Sequence, residues 1–123
     1  MNYEGLLRSQ QFQSVYKDGK RYDGRLMSVF VLPNGSSTDR FGITASRKAS
    51  RRAVDRNRMK RLLRESIRAV IADQPTERTP GRDWVFNARR SLLTVKMPEV
   101  HQELQRLTTK ALDEHQTEVK NAE

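Results

Sequence analysis

The segment Arg47–Arg68, RKASRRAVDRNRMKRLLRESIR, carries most of the excess charge of this 123-residue chain. It contains ten Lys or Arg against two acids, Asp55 and Glu65, which is a local charge of +8 in a chain whose total charge is +9. The remaining residues are nearly neutral, with 14 basic and 13 acidic side chains. Because the charge is concentrated in one segment, the sequence predicts a site for a polyanion there.

Helical periodicity predicts the shape of this site. Residues 55–72 contain no Pro or Gly, and apolar side chains recur at steps of three and four, at Met59, Leu62, Leu63, Ile67 and Val70. This spacing is typical of an amphipathic helix with one face in a core. On the other side, a sector about 100° wide contains Asn57, Lys60, Arg61, Arg64 and Arg68. Arg56 lies near the boundary between the faces and Arg58 near the far flank.

Two less specific explanations of the basic face are a solvated helix and a membrane-surface helix. Like-charge neighbours at three or four residues destabilise the helix by roughly 1–2.5 kcal/mol in total, whereas a helix needing only solubility would alternate its signs. A membrane-surface helix needs its apolar face free for lipid. A chain with only 35% hydrophobic residues needs that face for its core. The pattern therefore favours a nucleic-acid ligand.

The same segment resembles a known family. Phe41–Ala45 (FGITA), Ser46–Asp55 (SRKASRRAVD) and Arg56–Glu65 (RNRMKRLLRE) are similar to the signature of the protein subunit of bacterial ribonuclease P, and the resemblance covers about residues 6–112. One departure is local: many members have a Gly in the turn that is occupied here by residues 49–52, ASRR.

The resemblance implies a function and a set of contacts. In this family a large RNA holds the catalytic groups and the metal ions, and the protein binds that RNA and the single-stranded 5′ leader of precursor tRNA. The chain is then expected to assist endonucleolytic leader removal within a cytoplasmic ribonucleoprotein, with Mg²⁺ bound through the RNA and no membrane or DNA partner. The residues that match the RNA-binding motif are Lys48, Arg52, Arg56, Asn57, Arg58, Lys60, Arg61, Arg64 and Arg68. Those that match the leader cleft are Phe12, Tyr16 and Phe30.

The rest of the chain predicts a single α+β domain over residues 1–112, an α/β sandwich of order α-β-β-β-α-β-α with a mixed four-stranded sheet. The predicted elements are a helix from Ser9 to Asp18, capped by Gly19, strands at 20–22, 26–32, 40–45 and 83–88, the basic crossover helix, and a helix from about Pro98 to Leu112. A loop (DQPTERTPGR) is predicted at Asp73–Arg82, and a polar, disordered tail at residues 113–123. Strand–helix–strand order implies a parallel pair. General rules favour a right-handed crossover, whereas the resemblance implies a left-handed one.

The residues alone leave the role of two aromatics open. Phe12 and Tyr16 share a helix face with Val15, so they either pack in the core or line a cleft on which bases stack. Lys20, Arg21 and Arg25 either border that cleft or protect an edge strand from aggregation.

Candidate catalytic groups are missing from the sequence. The chain has no Cys, its two histidines (His101 and His115) lack a nearby carboxylate pattern, and no nucleophile elbow or phosphate loop occurs. We therefore predict no catalytic residue and no metal site in this chain, and we expect both histidines at the surface. No apolar run approaches the length of a membrane span.

Two other classes of protein remain as alternatives. A structural, ribosomal-type RNA-binding protein shares the size and charge but has no need of an aromatic cleft. A DNA-binding module would need side chains that contact base edges, whereas a face of Arg and Lys contacts the backbone.

Overall fold

A computed structural model describes residues 3–4, 8–71 and 81–122 of the chain, with side chains at residues 8–71 and 81–114. The strands are β1 (Tyr3–Glu4), β2 (Lys20–Asp23), β3 (Met27–Pro33), β4 (Asp39–Thr44) and β5 (Arg82–Ala88). The helices are α1 (Ser9–Asp18), α2 (Ala53–Ile71) and α3 (Met97–Ala122), and a 3₁₀ segment (Arg90–Thr94) follows β5. The loop predicted at residues 73–82 lies outside the described residues except for its last two.

The strands form one mixed sheet of order β1-β4-β5-β3-β2. β5 pairs parallel with β4 and antiparallel with β3, and β2 pairs antiparallel with β3. The predicted order of elements and the sheet of four main strands are confirmed. The two-residue β1, parallel to β4, was not predicted. The handedness of the β4–α2–β5 crossover stays a prediction.

Helix α1 ends where a glycine permits close contact with the sheet. The Gly19 N–H donates to the Val15 carbonyl at 2.9 Å, as a C-cap does. Its backbone is extended, so a left-handed conformation is not what requires glycine. A Cβ at this position would lie 2.5 Å from the Val15 oxygen and 2.9 Å from the Val31 oxygen, distances that real Cβ atoms do not adopt. The N-cap is Arg8, one residue before the predicted Ser9.

The main core lies between one face of the sheet and helices α2 and α3. The sheet contributes the stacked rings of Phe41, Trp84 and Phe86, whose centroids are 6.2–6.5 Å apart. Helix α2 contributes the predicted apolar stripe, in which Met59 and Leu63 are fully buried. Because α2 buries this stripe, its basic face points away from the core.

Helix α3 is tied to the β2–β3 loop by a buried carboxylate. Glu103 accepts hydrogen bonds from the backbone N–H groups of Arg25 and Leu26, both at 2.7 Å. The helical backbone then continues to Ala122, ten residues past the predicted end at Leu112, so the predicted helix end is corrected. Disorder of the tail and a domain boundary at residue 112 stay predictions. Within the described residues, no helix is long and apolar enough to cross a membrane.

Candidate nucleic-acid interface

The basic face of α2 is open to solvent. Asn57, Arg58, Arg61, Arg64 and Arg68 are exposed, and Lys60 is half-buried. Lys48 and Arg52, in the segment that leads into the helix, are exposed as well. Within residues 8–71 and 81–114, no carboxylate forms a salt bridge with any cation of the segment Arg47–Arg68. The positive charge of this face is therefore available to a ligand.

Arg56 differs from the other cations because it also holds the turn before the helix. Its Nη1 donates to the carbonyl oxygens of Ser50 (3.0 Å) and Arg51 (2.8 Å). Ser50 Oγ donates to Asp55 at 3.2 Å and accepts from the Arg52 N–H at 3.3 Å. These bonds stabilise the turn in which the sequence lacks the family's glycine. Sequence reasoning assigned Arg56 to RNA binding and missed this second role.

A groove of about 700 Å³ lies beside the start of α2. Its lining residues are Arg47, Lys48, Ser50, Arg51, Arg56 and Arg90. Five of the six are cationic, and Arg90 comes from the 3₁₀ segment after β5, far away in the sequence. We call this the basic groove.

A second groove, of about 570 Å³, runs over the open part of the sheet, and we call it the sheet groove. Its lining residues are Arg21, Arg25, Ser28, Ser46, Lys48, Ala49, Asn87, Ala88, Arg89, Arg90 and Ser91. Lys48 and Arg90 line both grooves, so the two form one continuous surface.

The three predicted cleft aromatics lie together between α1 and the sheet. The ring centroids of Tyr16 and Phe30 are 4.9 Å apart in an edge-to-face arrangement, and those of Phe12 and Tyr16 are 6.5 Å apart. Phe30 is 9% exposed and packs with buried Val15 and Val85, whereas Tyr16 is 41% exposed. Phe30 therefore supports the cluster from the core, and Tyr16 offers the accessible ring.

Polar contacts join the aromatic cluster to the sheet groove. The Tyr16 hydroxyl donates to Asn87 Oδ1 at 2.8 Å. On the other side, the Arg21 guanidinium lies 5.4 Å from the centre of the Phe30 ring, a cation–π distance. The basic groove, the sheet groove and the aromatic cluster thus form one surface.

Asp23 orders two arginines at the rim of this surface. Its Oδ1 accepts hydrogen bonds from Arg21 Nε (2.7 Å), Ser28 Oγ (2.7 Å) and Arg89 Nη2 (3.1 Å). The bond from Arg21, followed by the bond from Ser28, lowers the pKa of the Asp23 carboxyl below its ordinary value. Asp23 therefore stays ionised at neutral pH and holds both guanidinium groups in place.

Sequence reasoning missed several residues of this surface. Arg89, Arg90, Asn87 and Asp23 were not among the predicted site residues. The only local signal was the pair of arginines directly after a strand, because a strand end is where a loop cation meets the sheet surface.

One histidine differs from its prediction. His101 is half-buried and not at the surface, and its Nε2 is buried without a hydrogen-bond partner in the described structure. The side chain of His115 lies outside the described residues. Among the described residues, no group of three or more His, Asp or Glu is placed to hold a metal ion.

The fold and this surface define a class: a small α+β nucleic-acid-binding protein with a basic groove that leads to an exposed aromatic ring. Comparison with known proteins is more specific, since residues 1–112 match the Ribonuclease P family. The chain is 33% identical over 104 residues to the ribonuclease P protein component of Clostridioides difficile (strain 630), covering 85% of this chain and 88% of that protein. It is 37% identical over 106 residues to that of Dehalococcoides mccartyi, covering 86% and 82%.

Solved structures agree with these sequence matches. The ribonuclease P protein of Staphylococcus aureus superposes with a TM-score of 0.72 at 25% identity, covering 87% of this chain and 94% of that one. The Thermotoga maritima protein superposes with a TM-score of 0.70 at 29% identity, covering 85% and 94%. The chain belongs to the ribonuclease P protein family. Its role is that of the protein subunit of this tRNA-processing ribonucleoprotein, with an RNA as its partner, and the ribosomal-type alternative is not favoured.

Proposed function

We propose that the continuous surface binds two RNA segments at once. The basic groove and the exposed face of α2 bind the phosphate backbone of the ribonuclease P RNA. The sheet groove and the aromatic cluster bind the 5′ leader of precursor tRNA. The observation that carries this proposal is that Lys48 and Arg90 line both grooves, which brings the two RNA segments together on one protein.

The chemistry of α2 suits a folded RNA. Arg contacts phosphate through two parallel N–H donors, and Asn57 on the same face bonds ribose or water without adding charge. A-form RNA hides its base edges in a deep, narrow groove, so contacts of this kind recognise shape and backbone. We assign this role to the nine residues that match the family's motif, with Arg47, Arg51 and Arg90 added from the basic groove.

The sheet groove suits an unpaired strand. Aromatic faces stack with unpaired bases and contribute about 1–3 kcal/mol per base, and Tyr16 presents such a face. Arg21, Arg25 and Arg89 line the groove or its rim, where the phosphates of a bound leader would pass. Phe30 keeps its predicted place in the cleft as the ring against which Tyr16 packs.

The cleavage chemistry is assigned to the RNA subunit. Arg and Lys are protonated at neutral pH and do not act as general bases there without a strongly lowered pKa. The surface instead neutralises phosphates of two RNAs that repel each other, which reduces the Mg²⁺ concentration that the RNA needs. We propose that Mg²⁺ is bound by the RNA and not by a dedicated protein site.

Reconstitution tests this function. The chain is mixed with a bacterial ribonuclease P RNA at low Mg²⁺, and 5′ cleavage of precursor tRNA is followed beside protein-only and RNA-only reactions. We expect cleavage in the mixture only. Cleavage by the protein alone would overturn the assignment of chemistry to the RNA.

Leader binding has its own test. Precursor tRNAs with leaders of one to eight nucleotides are compared in the same reaction. We expect the protein to strengthen substrate binding more as the leader lengthens, up to the length of the groove. Equal enhancement for all leaders would contradict leader binding while leaving RNA-subunit binding intact.

A further inference from the structure

We propose that Asn87 selects the base of one leader nucleotide, favouring a keto base (uracil or guanine) over an amino base (adenine or cytosine). This inference rests on the proposed function, because it assigns base selection to the groove that we assign to the leader. It also differs from the expectation that contacts to the backbone and to ring faces bind without regard to sequence.

The position of Asn87 follows from the register of the sheet. It lies on central strand β5, opposite Ser28 of β3 and Thr44 of β4. It projects from the same sheet face as Val85 and Phe30, on which α1 packs. Asn87 is half-buried and lines the sheet groove beside the aromatic cluster.

Two hydroxyl groups orient its side-chain amide. The Tyr16 hydroxyl donates to Oδ1 at 2.8 Å, and the Thr44 hydroxyl donates to the same oxygen. A carbonyl oxygen has two lone pairs, so both of its acceptor sites are occupied. In the described part of the chain, Nδ2 makes no hydrogen bond to the protein. The amide therefore offers donors, and no acceptor, to a ligand in the groove.

A group that only donates discriminates between base edges. Uracil O4 and guanine O6 accept a hydrogen bond, whereas the exocyclic amino groups of adenine and cytosine are donors. An amino group facing Nδ2 would leave two donors unpaired and partly desolvated, which is unfavourable. Phosphate oxygens have charged partners nearby in Arg21 and Arg89, so the neutral amide remains for a base.

The aromatic ring places the base at the amide. The Tyr16 hydroxyl that anchors Oδ1 is the end of the same ring whose face is exposed. A base that stacks on this ring has its edge beside the amide. Tyr16 is thus both a stacking platform and the positioning residue for Asn87.

The test is a competition among leader sequences with the reconstituted holoenzyme. A precursor tRNA pool with a randomised leader is cleaved at low Mg²⁺, and sequencing of cleaved and uncleaved fractions gives the relative kcat/KM of each base at each position. We expect one position at which uracil and guanine exceed adenine and cytosine by about three- to tenfold, the effect of a single hydrogen bond. The RNA-only reaction should lack this preference.

Variants attribute the preference to the amide. Asn87→Leu keeps the size and removes the donors, and it should abolish the preference at that position alone. Asn87→Asp replaces the donors with an acceptor, and it should reverse the preference towards adenine and cytosine. Tyr16→Phe removes one anchoring hydroxyl and keeps the ring, so it should weaken the base preference while leader-length dependence persists. If one variant does not fold, the other two carry the test.

Three outcomes would overturn the proposal. They are equal use of all four bases by the wild type, a wild-type preference for amino bases, and a uniform loss across all bases in Asn87→Leu, which would indicate a phosphate or ribose contact. In each case persistent dependence on leader length would leave the proposed function standing. Loss of leader-length dependence would contradict both.

Discussion

The two faces of the sheet are built from the same strands, yet they differ in what covers them. One face is covered by α2 and α3, and Trp84, Phe86 and Phe41 are buried there to 2% exposure or less. The other face meets only α1, which has ten residues and a length of about 15 Å. That face has its own small core of Val15, Phe30 and Val85, and beyond it lies the open sheet groove.

The difference shows how one strand serves both stability and binding. Side chains of β5 alternate between Trp84 and Phe86 on the covered face and Val85 and Asn87 on the open one. Substitutions one residue apart should therefore have different consequences. Changes on the covered face should act on folding, and changes on the open face should act on RNA.

The largest effect is expected on the covered face. Phe86→Ala removes a fully buried ring that stacks between Phe41 and Trp84. It should lower the free energy of unfolding by about 3–5 kcal/mol, measured by denaturant titration. Phe12→Ala, which removes a half-buried ring from the open face, is the matched control. Equal losses for the two variants would contradict the difference between the faces.

The next largest effect is on leader binding. Tyr16→Ala removes the exposed ring and should weaken binding of a precursor tRNA by about 1–3 kcal/mol, the value of one stacked base. Binding of mature tRNA, which lacks the leader, serves as the reference and should not change. A similar loss for both tRNAs would mean that Tyr16 acts through the fold and not through the leader.

The basic face should be detected through its salt dependence. If five phosphates are contacted, the affinity for the RNA subunit should fall with a log–log slope of about 3.5–4.5. Arg61→Ala should reduce that slope by about 0.7–0.9. Lys110→Ala, which removes one exposed charge from α3, is the matched control and should leave the slope unchanged. A slope near zero for the wild type would remove the electrostatic basis of the interface.

The smallest effect is a dependence on pH at the edge of the covered face. Burial, followed by the hydrogen bond that the Tyr22 hydroxyl donates to Glu114 Oε2 (2.8 Å), raises the pKa of Tyr22 to about 12. The folded state holds this proton more tightly than the unfolded state, whose tyrosine pKa is about 10. The stabilisation is therefore complete below pH 10 and is lost as the pH rises from 10 to 12.

Tyr22→Phe isolates that contribution. The free energy of unfolding of the wild type should fall more steeply between pH 10 and 12 than that of the variant, because only the wild type loses a proton at this position. Urea titrations at fixed ionic strength measure both. Parallel pH profiles would show that Tyr22 ionises normally in the folded protein.

Sequence reasoning succeeded where structure depends on neighbours along the chain. The apolar spacing of α2 placed Met59, Leu63 and Ile67 in the core, and the Pro- and Gly-bearing turns bounded the strands to within a residue. It failed at the end of α3, because residues 113–122 lack apolar periodicity while a helix already formed extends at low cost. It also failed at β1, because two residues become a strand only by pairing with β4.

The sequence by itself determined that the protein is an α+β domain with a basic, amphipathic crossover helix, since charge and periodicity are local properties. Only the tertiary structure decided that Arg90 joins the basic groove, that Phe30 supports Tyr16 from the core, and that Asn87 lies at the end of the exposed ring. These residues are brought together by sheet register and by helix packing. Both depend on contacts between distant segments, which no local pattern records.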